Sequence, residues 1–566
     1  MPVTHQRSPQ MLSRLIDMST IYLKISGMTC EHCANAIETA LSDVEGVDKA
    51  TVSYADKLAQ VTVKPDFVLS YEKLISAVQS SGYDAFAENI QSTNSPPIKT
   101  ASKPLQIVII GSGSAAFAAA LEAKDLGAQV TMIEAGTVGG TCVNVGCVPS
   151  KIMIRAAQMA HQQAHHPFSG VEPHVPSIDR SKLVIQQQAR VDALRHDKYE
   201  SVLESNPEIN LIKGRARFQD QNTVIVTKED GSQHTITADR FLIATGRTPV
   251  LPTIIGLAES PYWTSTTALI ATQIPQHLIV LGASVVAVEI AQAFLRLGAK
   301  VTMLSRSTVL SRADPDIAEG LQKALIAEGM DIMTNVNVSE VKYENQLFTL
   351  TVNDKIVIGS QLFVAAGRTP NTKDLGLEKI NVNLNAKVEV IIDDHMRTSI
   401  HNIFAVGDCT PLPQYVYVAA ASGKKAALNM VGQEATLDLT AMPEVIFTDP
   451  QIATVGLTEH QALAQGVKVE SRKLGLEHVP RALANFDTTG FIKIVAEIDT
   501  GRIVGVQILA GEASEIIQTA VIVIRHRMTV QSLTQELFPY LTMVEGLKLC
   551  ALTFFKDVKQ LSCCAG

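Results

Sequence analysis

The sequence predicts an α/β protein with two Rossmann-like dinucleotide-binding units, a final α+β region and a small ferredoxin-like βαββαβ module at the front. A buried strand, a glycine turn and a helix open residues 105–133, and the same design returns in residues 276–304. Short alternating strands and two helical segments occupy residues 20–88. A chain of 566 residues is too long for one core, so several domains are expected.

The front module is expected to hold strands at 21–25, 47–54, 58–63 and near 84–86, with helices at 34–41 and 71–79. Residues 1–19 form an extension without an interpretable pattern, in which Met18 is a second candidate start. Residues 89–103 contain Ser-Thr-Asn-Ser-Pro-Pro and no apolar periodicity, which is typical of a flexible linker.

Composition excludes several functional classes. The chain carries 48 basic and 56 acidic residues, and this balance argues against a nucleic-acid partner, which needs a clustered basic surface. No run of about 20 apolar residues predicts a membrane span. The start lacks the apolar stretch and small-residue cleavage site of a secretory signal. We therefore expect a cytoplasmic protein.

Six of the eight cysteines occur in close pairs, which are Cys30 with Cys33, Cys142 with Cys147, and Cys563 with Cys564. In a reducing compartment such pairs are more often catalytic or metal-binding than structural. They can hand on electrons or a soft, thiophilic metal ion. Zinc is disfavoured at a single pair, because two thiols do not complete its tetrahedral ligand set.

The first dinucleotide unit begins with Gly111 and Gly113, and Ala116 lies in the helix that follows. Glycines at this turn let a pyrophosphate approach the helix N-terminus. Glu134 ends the second strand about 20 residues later, where a carboxylate can bind ribose hydroxyls. The alternative is a Rossmann fold that binds no dinucleotide.

The second unit places Gly282 and Ser284 in the corresponding turn. After its second strand, Ser305 stands where an acid would favour NAD, and Arg306 could pair with a 2′-phosphate. The pattern therefore favours NADPH over NADH. An incidental surface arginine remains the alternative.

Cys142 and Cys147 lie five residues apart at the entry to a helix. A regular helix would separate them by about 7.5 Å of rise alone, beyond the usual reach of a disulfide. A bond between them therefore requires a distorted first turn, which Gly146 makes tolerable. Thiolates near a helix N-terminus are stabilised, so the pair supplies a nucleophile at neutral pH, unless both cysteines are buried and inert.

The run from Gly139 to Lys151 resembles the redox-disulfide helix of the flavoprotein disulfide reductases. The resemblance extends to the segments at 244–247, 366–371 and 403–408, and so covers residues 105–566. It implies a glutathione-reductase-like fold with FAD in residues 104–250 and 365–440, NADPH in 251–364, and a dimerisation domain in 441–566. It also implies a homodimer whose active site is shared between subunits.

The resemblance also assigns residues. Lys151 would lie beside flavin N5 and pair with Glu289, while Cys147 would face the isoalloxazine ring. The flavin contacts it implies are Gly111, Gly113, Ala116, Glu134, Gly136, Gly140, Thr141, Lys151, Ala216, Asp408 and Val416. The implied NADPH side comprises Gly282, Ser284, Glu289 and Arg306.

The chain departs from this family near its C-terminus. Related disulfide reductases carry a histidine as general acid for the departing thiol, and Tyr540 stands in its place while Glu545 is kept. A phenol with a pKa near ~10 is a poor proton donor and acceptor at pH 7. An organic disulfide is therefore a less favoured substrate.

Three features resemble the Hg(II)-reducing branch of the family. They are the tyrosine at position 540, the segment that contains Tyr262, and the terminal pair Cys563-Cys564. Residues 20–88 resemble the heavy-metal-associated domain of that branch, where Cys30 and Cys33 would bind the ion. The resemblance implies that small thiols carry Hg(II) to Cys563 and Cys564, which pass it to Cys142 and Cys147. Tyr262 and Tyr540 would contact the ion or the thiolates. A mercury transporter as supplier is compatible with it, although the residues give no sign of one.

The sequence therefore predicts a cytoplasmic, homodimeric FAD enzyme that uses NADPH to reduce thiol-bound Hg(II) to elemental mercury, a detoxification. Two rivals remain: a reductase of small or protein disulfides, and a metal-sequestering chaperone. The front module alone also fits a copper metallochaperone. Cys409 and Cys550 are expected to be structural, and His32, His161, His165 and His166 to be solvated.

Overall fold

The computed structural model describes residues 20–26, 28, 31–54, 57–64, 71–81, 83–87 and 103–560. The chain divides into two compact units, Met1–Ser102 and Lys103–Gly566. Cys30, Cys563, Cys564 and the side chain of His32 lie outside the described residues, as do the predicted extension up to residue 19 and the predicted linker up to residue 102.

The small unit has the predicted βαββαβ order. Its elements are β1 Thr20–Ser26, α1 Glu31–Ser42, β2 Val47–Ser53, β3 Leu58–Val63, α2 Tyr71–Ser80 and β4 Asp84–Ala87. The strands form one antiparallel sheet in the order β2-β3-β1-β4. Alternate residues of β1 point to the core, so that Ile21, Leu23 and Ile25 are buried while Lys24 is exposed. Ile37 and Leu41, one helical turn apart on α1, close this core.

The large unit begins with a dinucleotide-type βαβ unit and continues into mixed structure. Its elements to residue 250 are β5 Gln106–Ile110, α3 Ser114–Asp125, β6 Gln129–Glu134, α4 Gly140–Val145, α5 Cys147–Ala164, α6 Arg180–Arg195, α7 Ser201–Glu204, β7 Ile209–Lys213, β8 Arg215–Asp220, β9 Thr223–Thr227, β10 Gln233–Thr237, β11 Arg240–Ile243 and β12 Arg247–Pro249. A five-residue π-helix, His196–Glu200, joins α6 to α7.

The second βαβ unit follows. The elements to residue 440 are α8 Ser265–Ile270, β13 His277–Leu281, α9 Val285–Arg296, β14 Lys300–Leu304, α10 Pro315–Ala327, β15 Asp331–Met333, β16 Val338–Glu344, β17 Leu347–Val352, β18 Lys355–Gly359, β19 Gln361–Val364, β20 Arg368–Pro370, β21 Ile403–Ala405 and α11 Val416–Met430.

Two parallel sheets organise these elements. One has the order β21-β11-β5-β6-β7, and the other β15-β14-β13-β19. In each sheet the chain runs outward from its first strand and then crosses to that strand's other side. The strand order therefore reverses beside β5 and beside β13, and ligands of open α/β sheets bind at such points.

The last region is an antiparallel α+β layer. Its elements are β22 Pro443–Ile446, β23 Gln451–Gly456, α12 Glu459–Ala464, β24 Val469–Gly475, α13 Pro480–Asn485, β25 Phe491–Glu497, β26 Ile503–Ala510, α14 Ala513–Arg525, α15 Val530–Gln535 and α16 Glu545–Leu552. The sheet order is β22-β23-β26-β25-β24. The predicted fold class is thereby confirmed. None of the described helices is long and apolar enough to cross a membrane.

Helix α11 lies directly against α3, the helix that follows the first glycine turn. A Cβ atom at Gly423 of α11 would stand 2.1 Å from the Ala115 carbonyl oxygen of α3. Only glycine allows this approach, because any side chain would push the two backbones apart.

We therefore expect Gly423→Ala to lower the apparent melting temperature by about 1–3 °C, since overpacking typically costs about 1–3 kcal/mol and the shift per kcal/mol falls as the cooperative unit grows. Thermal melting followed by circular dichroism checks this. Gly170→Ala is the matched control, because a Cβ there meets nothing within 4 Å. Equal melting temperatures for the two variants would contradict the close approach.

Candidate functional site

The first glycine turn lies where β5 ends beside β11. Gly111 has φ +114°, and a Cβ atom there would stand 2.4 Å from the Ala244 carbonyl oxygen at the end of β11. The N-cap of α3 is Gly113, which offers no side-chain cap, so the first N–H groups of this helix remain for an anionic ligand. Ala116 is buried within α3.

Glu134, at the end of β6, is held beside this turn. Its two carboxylate oxygens accept from the Ser112 hydroxyl at 2.6 Å and from the Gly136 N–H at 2.5 Å. These two contacts fix its orientation next to the helix N-terminus. An open glycine turn, free helix N–H groups and an oriented carboxylate together fit the pyrophosphate and ribose of FAD.

The redox cysteines lie on either side of a helix break. Cys142 belongs to α4, Cys147 begins α5, and Gly146 between them has φ −127° and ψ −112°, which is not helical. The predicted distortion of this first turn is confirmed. Cys142 is half-buried, Cys147 is exposed, and both are free thiols.

The two thiols have unequal acidity. The Cys142 thiol donates to Cys147, and this hydrogen bond, assisted by the positive charge of Lys151, lowers the pKa of Cys147 to about 7. The same hydrogen bond, together with burial, raises the pKa of Cys142. The pair therefore presents one thiolate at neutral pH, and that thiolate is Cys147.

Lys151 lies one helical turn after Cys147 and is held from the second dinucleotide unit. Its Nζ lies 2.7 Å from Glu289 Oε2 on α9, which confirms the predicted pairing. The other oxygen of Glu289 accepts from the Phe447 N–H at 2.8 Å. Both oxygens of this buried carboxylate are therefore engaged, and its negative charge partly offsets the effect of Lys151 on the Cys147 thiol by raising the pKa of that thiol.

Asp408 lies in a short turn that two arginines support. Arg247 donates from Nε to the Asp408 carbonyl oxygen and pairs with the buried Glu389. Arg368 in turn donates to the Arg247 carbonyl oxygen at 2.6 Å. Burial raises the pKa of Asp408, while both arginine charges oppose this rise.

The remaining predicted flavin contacts lie on elements around the first turn. Gly140 begins α4 with Thr141 exposed after it, Ala216 is buried in β8, and Val416 begins α11. The helix start at Val416 also lacks a side-chain cap.

The second glycine turn repeats the construction of the first. Gly282 has φ +123°, and a Cβ atom there would stand 2.4 Å from the Ala365 carbonyl oxygen, which follows β19. Ser284 stands at the N-cap position of α9, where its side chain makes no capping hydrogen bond, and it borders a cavity of about 40 Å³. Ser305 is buried and Arg306 is exposed beside it. A surface guanidinium at the end of β14, without a competing acid, fits the 2′-phosphate of NADPH.

Sequence reasoning missed Tyr199, which is close enough to both thiols to interact with them electrostatically. Burial raises its pKa, and the charges of Cys142 and Cys147 add to the rise. Its hydroxyl oxygen is 3.4 Å from Ser114 Oγ, and its ring packs edge-on against Phe117 at 4.8 Å. Tyr199 lies in the π-helix His196–Glu200, and a five-residue π-helix has no sequence pattern that would have revealed it.

The surroundings of Tyr262, Tyr540 and Glu545 in the single chain differ from one another. Tyr262 packs against the apolar core around β16 and β17. Tyr540 is 52% exposed and precedes α16, where Glu545 is buried and has a raised pKa because of that burial. The described contacts do not join Tyr262 or Glu545 to the two thiols.

Two other predictions concern cysteine and histidine. Cys409 and Cys550 are fully buried, as expected of structural residues. The prediction that the histidine cluster is solvated is wrong for His166, because both of its ring nitrogens are buried and lack a hydrogen-bond partner among the described residues. His161 and His165 stack with ring centroids 4.3 Å apart, and burial lowers the pKa of His161.

Three families match separate parts of the chain. Residues 105–423 match the pyridine nucleotide-disulphide oxidoreductases, residues 442–551 match the dimerisation domain of that family, and residues 23–84 match the heavy-metal-associated domain.

Similar proteins cover nearly the whole chain. Mercuric reductases from Acidithiobacillus ferrooxidans and Shigella flexneri are each 52% identical to it, over 96% and 97% of this chain and 98% and 100% of theirs. Among solved structures, the Cu(II) complex of the HOCl-induced flavoprotein disulfide reductase RclA from Escherichia coli is 28% identical, with a TM-score of 0.73. LpdA from Mycobacterium tuberculosis is 29% identical, with a TM-score of 0.73. Both structures match 80% of this chain and 100% of their own.

The acidity of Cys147 is testable in the reduced enzyme. We expect the pH dependence of iodoacetamide alkylation at Cys147 to have its midpoint near pH 7, and Lys151→Met to move that midpoint to higher pH, because loss of the positive charge disfavours the thiolate. Mass spectrometry of the alkylated peptide measures both. Lys182→Met is the control, since this lysine side chain is 84% exposed. An unmoved midpoint in Lys151→Met would contradict the assigned electrostatics.

Proposed function

Because the chain belongs to the pyridine nucleotide-disulphide oxidoreductases and, within them, to the mercuric reductases, we propose that it reduces Hg(II) to elemental mercury with NADPH as reductant. NADPH and Hg(II) give NADP⁺, one proton and Hg(0), so one hydride equivalent supplies the two electrons. Its cofactors are FAD and NADPH. FAD, when bound, supplies the capacity to accept a hydride and release two electrons.

The observation that carries this function is the unequal thiol pair at the break between α4 and α5. Hg(II) is a soft ion that prefers two thiolates over nitrogen or oxygen ligands. Cys147 is ready to bind as a thiolate near pH 7, and Cys142 can bind once its proton is displaced by the metal. The hydrogen bond from Cys142 and the charge of Lys151 hold the pair in this state.

The two cofactors have separate places in the proposal. FAD would be held by the turn at Gly111 and Gly113, by Glu134 and by the segments around Asp408 and Val416, within residues 104–250 and 365–440. NADPH would be held by Gly282, Ser284 and Arg306, within residues 251–364. Residues 441–566 would form the dimer contact.

The finer partner assignments also belong to the proposal. In a homodimer with shared active sites, the Cys563-Cys564 pair of the partner subunit would receive Hg(II) from small thiols and pass it to Cys142 and Cys147. Tyr540 would come from that subunit too. Cys30 and Cys33 of the front module would scavenge Hg(II), and the cytoplasm, where thiols stay reduced, is the proposed compartment.

Purified enzyme mixed with NADPH, Hg(II) and excess small thiol is expected to consume NADPH and release mercury vapour in equal amounts. Absorbance at the NADPH band and trapped vapour measure the two quantities. Oxidised glutathione and lipoamide are the control substrates, and turnover is expected to be far slower with them because Tyr540 replaces the proton-donating histidine. NADPH loss without vapour would refute the proposed reaction.

Replacing both Cys563 and Cys564 by alanine is expected to slow turnover of thiol-bound Hg(II) by roughly tenfold or more, a scale typical of losing groups that hold a metal ion. The flavin spectrum should stay unchanged. Ser562→Ala, the neighbouring substitution, serves as control. Unaltered turnover in the double variant would remove the terminal pair from the relay.

A further inference from the structure

The segment from Phe447 to Asp449 lies along one face of α9. Glu289, Gln292 and Arg296 follow one another at spacings of three and four residues, so they share that face. Glu289 accepts from the Phe447 N–H at 2.8 Å. Gln292 exchanges two hydrogen bonds with the Asp449 backbone, at 2.8 and 2.7 Å, and Arg296 pairs with the Asp449 carboxylate at 2.7 Å.

The residues immediately before this segment are also fixed. Strand β22 ends immediately before Phe447 and pairs with β23, where Ile446 lies opposite Ile452. The Tyr417 hydroxyl at the start of α11 donates to the Pro443 carbonyl oxygen of β22. The Phe447 backbone is therefore restrained by strand β22 on its N-terminal side and by its hydrogen bond to α9.

Phe447 contacts both members of the ion pair at the thiol site. Its ring centroid lies 4.6 Å from Lys151 Nζ, and its N–H binds the Glu289 oxygen that Lys151 does not use. Lys151 Nζ is 2.7 Å from the other oxygen. One residue of the final region thus faces the cation with its π surface and the anion with its amide.

The Phe447 ring can restrict the Lys151 side chain, because a lysine side chain is intrinsically flexible. Lys151 carries its charge on a flexible four-carbon stem, and its side chain is one-third exposed, so the ion pair alone leaves the ammonium several orientations. An aromatic face within about 6 Å attracts a cation, and more strongly where water is excluded. The ring therefore selects one position of the ammonium among those that the pair with Glu289 allows.

We propose that Phe447 is a positioning residue of the redox centre, which fixes the Lys151 ammonium by its ring and orients Glu289 by its amide. This inference rests on the proposed function, in which Lys151 lies beside the flavin. A fixed ammonium there stabilises the electron-rich reduced flavin, so its displacement makes the flavin harder to reduce. The final region, which supplies the dimer contact in the proposal, would then also tune the cofactor.

The test compares Phe447→Leu with Phe447→Tyr in the FAD-loaded enzyme. Leucine removes the π face while keeping the amide and most of the apolar volume. We expect it to make the flavin reduction potential more negative and to slow flavin reduction by NADPH by about three- to tenfold. Tyrosine keeps the π face, so it is expected to retain both values. Dye equilibration gives the potential, and stopped-flow absorbance gives the rate.

A double-variant comparison separates positioning from general damage. If Phe447 acts through Lys151, Phe447→Leu shifts the potential in the native background and adds nothing in a Lys151→Met background. Phe486→Leu, at a ring that is 67% exposed, is the control and should match the native enzyme.

An equal shift in both backgrounds, an unshifted potential in Phe447→Leu, or a loss in Phe447→Tyr as large as in Phe447→Leu would overturn the inference. Both measurements omit mercury. A failure of the proposed Hg(II) reduction would therefore not be mistaken for a failure of the role of Phe447.

Discussion

The contact between Lys151 and Glu289 is the constraint on which the organisation of the site depends. It joins α5, which carries Cys147, to α9 of the second dinucleotide unit, and the Phe447 amide ties the final region to the same carboxylate. Burying a carboxylate is unfavourable in free energy unless both of its oxygens are paired, and here a cation binds one oxygen and an N–H binds the other. Three parts of the chain therefore meet at the Glu289 carboxylate. Its partner Lys151 adds to the Cys142 hydrogen bond in lowering the pKa of the Cys147 thiol.

The two dinucleotide units reach this meeting point by the same local device. Gly111 lies against the Ala244 carbonyl oxygen just after β11, and Gly282 lies against the Ala365 carbonyl oxygen just after β19. In both turns a Cβ atom on the glycine would stand 2.4 Å from that oxygen. The turn can then bring its helix N-terminus to the crevice between the strands. The units differ in charge where the second strand ends, with Glu134 in one and Ser305 followed by Arg306 in the other. That difference in charge suits an unmodified ribose in the first unit and a 2′-phosphate in the second.

Much of this could be predicted from the sequence, because strand, glycine turn and helix are local patterns. The two βαβ units lie within a residue of the predicted ranges 105–133 and 276–304, and all six elements of the small unit fall within a few residues of their expected bounds. The break at Gly146 followed from the spacing of Cys142 and Cys147. Tyr199 could not be found in this way, because a π-helix sets its position. Phe447 could not be found either, because its role depends on contact with Lys151, nearly 300 residues earlier in the chain. His166 was misjudged for the same reason: burial of a polar loop residue depends on tertiary packing that its neighbours in sequence do not report.

The chemistry of the thiol pair is compatible with a tyrosine at position 540, where the family resemblance implies a histidine in disulfide reductases. Cleaving an organic disulfide releases a thiolate that must be protonated, so a disulfide reductase needs an acid of intermediate pKa beside the leaving sulfur. Transfer of Hg(II) between thiol pairs instead exchanges one thiolate ligand for another, and the ion itself displaces the remaining proton. A site with one thiol already ionised near pH 7 and a lysine to hold that charge meets this need without a general acid. The electrostatics around Cys147 favour Hg(II) as the substrate, and the tyrosine at position 540 disfavours an organic disulfide.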